Sequence, residues 1–179
     1  MKTIFVASIV TMTFALTQQS FGQSESKASI NAGTTLNFID DSSGDIADLI
    51  GFYIGADVSG KLTDHVGYFG SLQFIQQRSE VADMNVELYS INPAFAFKLY
   101  PTAKNLYAFA GFQMCFITGF KLDNESMSDF DKADSFFIAG LGLELGDRFS
   151  IVSRYSHSLE RDYFDSTVQL GVSYVISKK

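Results

Sequence analysis

A two-residue alternation of apolar and polar side chains constrains this chain more than any other feature of its sequence. Residues 50–60 read Ile-Gly-Phe-Tyr-Ile-Gly-Ala-Asp-Val-Ser-Gly, with an apolar side chain at every even position from 52 to 58. A β-strand presents successive side chains to opposite faces, so this segment has one apolar face and one mostly small or polar face.

The same alternation recurs along the chain after the first 25 residues or so. We predict strands over the following ranges: 28–38, 50–60, 67–78, 86–100, 106–119, 135–146, 148–158 and 166–177. They are longer than the usual strand of five or six residues. The connections between them alternate between short turns and the longer stretches 39–49, 79–86, 120–134 and 159–165.

Long alternating strands with this pattern of connections are typical of outer-membrane barrels. A bilayer core has no water to satisfy backbone groups, so strands can cross it only in a closed barrel. We therefore predict an all-β fold, an eight-stranded antiparallel up-and-down transmembrane β-barrel. A secreted β-sandwich or a lipocalin-like barrel is the soluble alternative, since its strands also alternate.

The first 22 residues have the features of a secretory signal peptide. Lys2 supplies a positive start, residues 4–16 form an apolar stretch too short to span a membrane, and Ser20-Phe21-Gly22 offers small residues at the cleavage site. We predict a signal peptide over 1–22 and a barrel domain over 23–179, located in the outer membrane of a Gram-negative bacterium. An uncleaved anchor helix is the alternative.

Four charged residues share the polar face of the predicted strands. By their parity, Asp57, Lys98, Glu144 and Arg154 point into the lumen. An eight-stranded barrel is just wide enough for side chains to fill, and isolated interior charges are costly unless they pair. We expect these four to form a charge network that plugs the lumen, with Glu144 as the partner of Arg154. A narrow water path along the same charges is the alternative.

Most of the 20 acidic residues fall in the longer connections. The predicted outer loops carry the following members of this group: Asp40, Asp41, Asp45, Asp48, Asp123, Glu125, Asp129, Asp131 and Asp134. Such a rim is well solvated, and it also has the chemistry to hold divalent cations that bridge lipopolysaccharide phosphates.

Aromatic residues cluster near both ends of the predicted strands, as expected where rings lie at the lipid headgroups. One girdle, near the short turns, comprises Tyr68, Tyr100, Tyr107, Phe149 and Tyr174. The other, near the longer loops, comprises Phe38, Phe52, Phe120, Phe137, Tyr155, Tyr163 and Phe164.

No cofactor or metal site is predicted. Cys115 is the single cysteine and reads as a buried apolar residue, the two histidines do not form a zinc pattern, and residues 123–131 lack the glycine and ligand spacing of an EF-hand. His157, Ser158 and Glu160 are candidates for a serine hydrolase site, which needs a serine, an imidazole base and a carboxylate. Ser158 falls on the opposite face from His157, so we predict no enzyme.

Five short motifs occur in order along the chain: Ala-Gly-Thr-Thr-Leu-Asn at 32–37, Gly-Phe-Tyr-Ile-Gly at 51–55, Leu-Tyr-Ser-Ile-Asn-Pro at 88–93, Tyr-Ala-Phe-Ala-Gly at 107–111 and Leu-Gly-Val-Ser-Tyr at 170–174. With them the chain resembles the small outer-membrane β-barrel domain proteins of the Bacteroidetes, the porin-family or PorT-like group. The resemblance implies an eight-stranded barrel but no shared activity. The last residues, Ser-Lys-Lys, depart from the aromatic end common in that group.

These observations give three functional expectations. The first is a non-enzymatic barrel in envelope structure or surface interaction, in contact with outer-membrane lipid and lipopolysaccharide and inserted by the barrel-assembly machinery. A narrow diffusion channel is the second and a lipid A deacylase-like hydrolase the third. Net charge −7 and an acidic rim argue against nucleic acid as a partner.

Overall fold

The computed structural model describes residues 26–40, 46–81, 84–101, 105–122, 125–127, 133–159 and 166–178. The signal peptide predicted over 1–22 lies outside these residues. Within the described ranges, no helix has the length and apolar character needed to cross a membrane.

The described chain consists of long strands and one short one. Their bounds are β1 Ser26–Asp40, β2 Ile46–Lys61, β3 Val66–Val81, β4 Met84–Leu99, β5 Leu106–Leu122, β6 Glu125–Met127, β7 Ala133–Leu145, β8 Phe149–Ser158 and β9 Ser166–Lys178. β6 is three residues long and pairs only with the end of β5.

The eight long strands form a closed antiparallel barrel. Each pairs with its neighbour along the chain, β5 pairs with β7 past the short β6, and β1 pairs with β9 to complete the ring. Every long strand therefore has two hydrogen-bonded neighbours, which leaves no free sheet edge between them. The predicted all-β, eight-stranded barrel is confirmed.

The strands run further than the sequence indicates at one end of the barrel. β3 ends at residue 81 and β4 begins at 84, so most of the long connection expected over 79–86 is strand. The stretches 39–49 and 120–134 are likewise largely strand. Backbone pairing continues past the apolar part of each strand because it needs no apolar side chains, and cross-strand charge pairs also favour it.

The two ends of the barrel differ. The turn end holds residues 62–65, 100–101, 105 and 146–148, the start of β1 and the end of β9. Gly146 opens the last of these turns with φ +69°, in the left-handed region that glycine adopts without steric cost. The opposite end, the loop end, holds the last residues of β1, β3, β5 and β8 and the first residues of β2, β4, β7 and β9.

Apolar side chains cover the outward face of the strands. The most exposed include Phe112, Ile50, Ile176, Ile54, Val172, Leu170, Leu141 and Phe97, all at least 53% exposed. Such a surface would be unstable in water, and it matches the apolar band that an outer-membrane barrel presents to lipid.

Only part of the aromatic girdle predicted at the turn end lies on this outward face. Phe149 is exposed there, and its ring packs 5.0 Å from that of Tyr174. Tyr68, Tyr100 and Tyr107 are instead buried. Tyr107 has the parity of the inward residues of β5, which was the signal that it belongs to the interior. At the loop end Phe38, Phe52, Phe137 and Tyr155 are exposed, as predicted.

Replacing Leu141 with arginine should destabilise the barrel. Leu141 is 55% exposed on the outward face of β7, and a cation near the bilayer midplane costs about 2–4 kcal/mol. The free energy of unfolding, from urea titrations of protein refolded into lipid vesicles, measures this change. The matched variant Leu62→Arg, in the turn between β2 and β3, should lose at most about 1 kcal/mol. Equal losses in both variants would contradict the assignment of the outward face to lipid.

Candidate functional site

The candidate site is the barrel interior, where alternate side chains of all eight long strands meet. The four charged residues predicted to face the lumen all line one cavity of about 50 Å³ near the turn end. Lys27, Asp147 and Arg148 line the same cavity. The prediction thus named four of these seven charged residues by parity alone.

Arg154 occupies the centre of the interior. It is 4% exposed, and its Nη1 atom donates to Oε1 of Gln73 at 3.0 Å and to Oε1 of Gln113 at 3.2 Å. Its Nη2 atom lies 3.5 Å from Oγ of Ser71. Arg154 belongs to β8 and Gln73 to β3, four strands away around the ring. The side chain therefore spans the lumen from one wall to the opposite one.

Aromatic rings surround the interior cations. The guanidinium carbon of Arg154 lies 5.6 Å from the ring centre of Phe69 and 5.9 Å from that of Phe109. Nζ of Lys98 lies 4.4 Å from the ring centre of Tyr107. Cations at these distances are attracted by the negative face of the ring, and the attraction is stronger away from water. The rings thus replace part of the hydration that the buried cations lose.

Glu144 pairs with a residue that the sequence analysis missed. Nζ of Lys27 lies 3.5 Å from Oε2 of Glu144, whereas Arg154 contacts the glutamines above. The expected pairing of Glu144 with Arg154 is therefore wrong. The strand partner of Arg154 is Gly140, and Glu144 lies four positions further along β7. Lys27 has the parity of the inward residues of β1, but the predicted strand began one residue too late to include it.

A second, smaller cavity lies on the loop side of Arg154. It measures about 10 Å³, and its lining includes Asn37, Gln77, Asn92, Gln113 and Gln169. Uncharged amides dominate this half of the interior, whereas seven charged side chains line the cavity at the turn end. Arg154, bonded to Gln113, lies at the boundary between the two halves.

Glycines on β7 leave space for aromatic rings in the barrel interior. Tyr107 and Phe109 on β5 stand opposite Gly142 and Gly140 on β7. A Cβ atom built on Gly142 would overlap the Tyr107 ring, and one on Gly140 would overlap Phe109. Ring and glycine therefore fit together across neighbouring strands. The sequence analysis predicted a polar interior and overlooked this aromatic part.

One residue assigned to the acidic outer loops lies inside the barrel. Asp134 belongs to β7 and is 3% exposed, and the hydroxyl of Ser158 lies 3.1 Å from both of its carboxylate oxygens. The inward parity of β7 extends to Asp134, and hydrogen bonds offset its burial. Asp40, Asp48 and Glu125 also fall in strands; Asp41, Asp45, Asp123, Asp129 and Asp131 lie outside the described residues.

Of the three candidate hydrolase residues, Ser158 and His157 do not come together, and Glu160 lies outside the described residues. Ser158 is buried and directed at Asp134, whereas the His157 ring stacks on Tyr155, an outward residue, with ring centres 6.4 Å apart. Serine and imidazole thus lie on opposite faces of β8. In the described part of the chain, no cluster of three or more histidine, cysteine or acidic side chains could hold a metal ion.

The chain matches the family model described as the outer membrane protein beta-barrel domain, over residues 5–175. It therefore belongs to that family, and it is an integral protein of the outer membrane. A sequence search of curated proteins gave no match.

Solved structures show the same architecture. Ail, the attachment invasion locus protein of Yersinia pestis, is 21% identical, with a TM-score of 0.56 over 87% of this chain and 100% of Ail. Neisserial surface protein A is 12% identical, with a TM-score of 0.57 over 86% and 98%. OprG of Pseudomonas aeruginosa is 12% identical, with a TM-score of 0.51 over 87% and 98%. At these identities the likeness concerns the fold alone.

Gly142→Ala should destabilise the barrel through the Tyr107 ring. The added methyl group has no room beside that ring, and overpacking of this kind costs typically about 1–3 kcal/mol. In a Tyr107→Leu background the loss of unfolding free energy should be smaller. Urea titrations of the wild type, the two single variants and the double variant measure the coupling between the two positions. Gly119→Ala is the matched control, because its Cβ atom would meet Tyr89 at an ordinary 3.4 Å. A loss unchanged by Tyr107→Leu would contradict the steric explanation.

Arg154→Met should lower the free energy of unfolding by about 1.5–3 kcal/mol, the usual contribution of hydrogen bonds to a charged group. Combined with Gln113→Leu, the loss should be less than additive, because the two side chains are bonded. Combined with Glu144→Gln, the losses should add. Denaturant titrations of the single and double variants measure both couplings, and coupling to Glu144 instead of Gln113 would show that the interior is arranged differently.

Proposed function

We propose that this protein is a non-enzymatic outer-membrane barrel with a closed lumen, which acts in envelope structure or in contacts at the cell surface. The observation that carries the proposal is the Arg154 side chain, hydrogen-bonded across the lumen to Gln73 and Gln113. A protein with its lumen closed in this way serves the envelope through its outer surface and its loops.

The sizes of the two cavities support closure. One of about 50 Å³ and one of about 10 Å³ lie on either side of Arg154, and each accommodates no more than a few water molecules. The charges Asp57, Lys98, Glu144 and Arg154 act as a plug together with Lys27 and the rings beside them. Four cations against three carboxylates leave this region with a small positive charge.

A narrow diffusion channel is the second candidate. It is favoured by the charged cavity at the turn end, which has the polar lining that ions and water need. The uncharged amides around the smaller cavity would extend such a path toward the loop end. Arg154 stands between the two, so this function requires its side chain to move.

A lipid A hydrolase has no support from the geometry. The hydroxyl of Ser158 is turned toward Asp134 inside the barrel, where acyl chains of the membrane do not reach. Mass spectrometry of lipid A from cells that express the protein tests this directly. Unaltered acylation is the expected result.

Orientation and partners follow from the general construction of such barrels. Short turns face the periplasm and longer loops face outward, so we assign the turn end to the periplasm and the loop end to the cell exterior. The apolar outward face then contacts membrane lipid, the loop end contacts lipopolysaccharide, and the barrel-assembly machinery inserts the chain. The acidic residues of the loops hydrate this rim. Ail was crystallised with the heparin analogue sucrose octasulfate, a bound polyanion; here the acidic loops disfavour such a ligand.

We further assign the chain to the PorT-like group of the Bacteroidetes, with residues 1–22 as a cleaved signal peptide. The support is the ordered set of short motifs at 32–37, 51–55, 88–93, 107–111 and 170–174. Protein sequencing of the mature N-terminus tests the cleavage after Gly22.

Conductance across planar lipid bilayers tests the closed lumen. The wild-type protein should pass no stable ion current, whereas Arg154→Ala should conduct, because the loss of this side chain joins the two cavities. The control is Lys61→Ala, which removes an exposed cation from the turn end and should leave the bilayer silent. Large, stable currents through the wild-type protein would overturn the closed lumen in favour of the channel.

A further inference from the structure

Three charged side chains form a row on the outward face of the barrel near the loop end. Arg78 on β3, Glu87 on β4 and Lys121 on β5 are consecutive partners in the strand register. Nη2 of Arg78 lies 2.9 Å from Oε1 of Glu87, and Nζ of Lys121 lies 3.7 Å from Oε2 of the same carboxylate. We refer to these three residues as the charged row.

The charged row lies directly beyond the apolar surface. Two positions closer to the turn end, the outward partners Gln76, Tyr89 and Gly119 form a mixed row. The Tyr89 hydroxyl donates to Oε2 of Glu87 at 2.6 Å, and its ring packs 6.2 Å from Phe74 of the next, fully apolar row. Tyrosine with its ring toward apolar side chains and its hydroxyl toward charges is typical of the membrane interface. The charged row is therefore at the level of the lipid headgroups.

The two cations of the row have donors to spare. Arg78 is 67% exposed along its side chain and Lys121 is 42% exposed, whereas Glu87 between them is 21% exposed. A guanidinium carries five N–H donors and an ammonium three, of which one carboxylate engages only a few. With two cations and one anion, the row has a net positive charge on a chain whose formal net charge is −7.

Among the described residues, the opposite wall has no such group. There Phe137, His157 and Ser166 are consecutive register partners, and neither they nor the same-face positions closer to the loop end, Ala133, Ser135 and Leu159, are lysine or arginine. A general attraction to the membrane surface would be served by cations around the whole circumference of the loop end. In the described part of the loop end, the outward cations are confined to β3–β5 and define one site instead.

We propose that Arg78 and Lys121 bind a phosphate group of lipopolysaccharide in the outer leaflet. This inference rests on the orientation given under the proposed function, which places the loop end in that leaflet. Arginine forms paired, charge-assisted hydrogen bonds with phosphate oxygens, and lysine adds a point charge. Glu87 lies between the two cations and competes with the phosphate for their donors, and the Tyr89 hydroxyl donates to its carboxylate.

Lipid A binding by purified, folded barrels tests the proposal, with native mass spectrometry as the readout. The wild-type protein should retain diphosphorylated lipid A and lose it when the phosphates are removed enzymatically. Arg78→Gln combined with Lys121→Gln should weaken retention about tenfold or more, since each charged hydrogen bond is worth about that factor. The control, Lys61→Gln with Arg148→Gln, removes the same charge from the turn end and should bind as the wild type does.

Glu87→Gln separates lipid binding from a merely structural ion-pair cluster. Removal of the competing carboxylate should preserve or raise lipid A retention, although the salt bridges are lost. A loss equal to that of the double cation variant would overturn the proposal, as would retention that is indifferent to the lipid phosphates. Displacement of lipid A by an equal concentration of inorganic phosphate would assign the site to a free anion and overturn the lipid assignment.

Heat-modifiable migration on gels shows whether each variant is folded before it is compared. Bilayer conductance of the wild-type protein is measured separately. If the barrel conducts ions but still retains lipid A at the charged row, only the proposal of a closed lumen is overturned. If the barrel does not conduct and does not retain lipid A, only the proposed lipid site is overturned.

Discussion

The structure depends on the need to satisfy every backbone hydrogen-bonding group of a chain that lies in lipid. Eight long strands meet this need only when β1 pairs with β9 and the ring is complete. Closure fixes which side chains point inward, and the narrow interior then decides which of them can coexist. The arrangement of Arg154, Lys27 and the interior rings follows from that confinement.

Inside the barrel, aromatic rings and amides together replace water around the charges. Arg154 is hydrogen-bonded to glutamine oxygens and has Phe69 and Phe109 beside it, and Lys98 has Tyr107 beside it. The outward face is instead surrounded by lipid. On β3 to β5, charges appear where the apolar rows end, in the row that contains Arg78 and Lys121. The same alternation along β3 and β5 thus places one set of side chains in the barrel interior and the other set against lipid.

Alternation alone was enough to predict the barrel, the strand number and the inward position of Asp57, Lys98, Glu144 and Arg154. It could not predict partners, because these depend on the stagger between strands that are distant in sequence; hence Glu144 meets Lys27 and not Arg154. Strand ends were also missed, since backbone pairing continues where side chains turn polar. Asp134 was placed in a loop for that reason, although its parity agrees with its burial.

The span of Arg154 has a consequence for assembly. Its partners Gln73 and Gln113 lie on β3 and β5, whereas Arg154 itself lies on β8, so these contacts join segments synthesised at different times. Gln73 sits four strands away around the ring, and the two walls face each other only once the circle is complete. The contact between Arg154 and Gln73 therefore forms at the end of assembly, and it then ties two opposite walls of the finished barrel together.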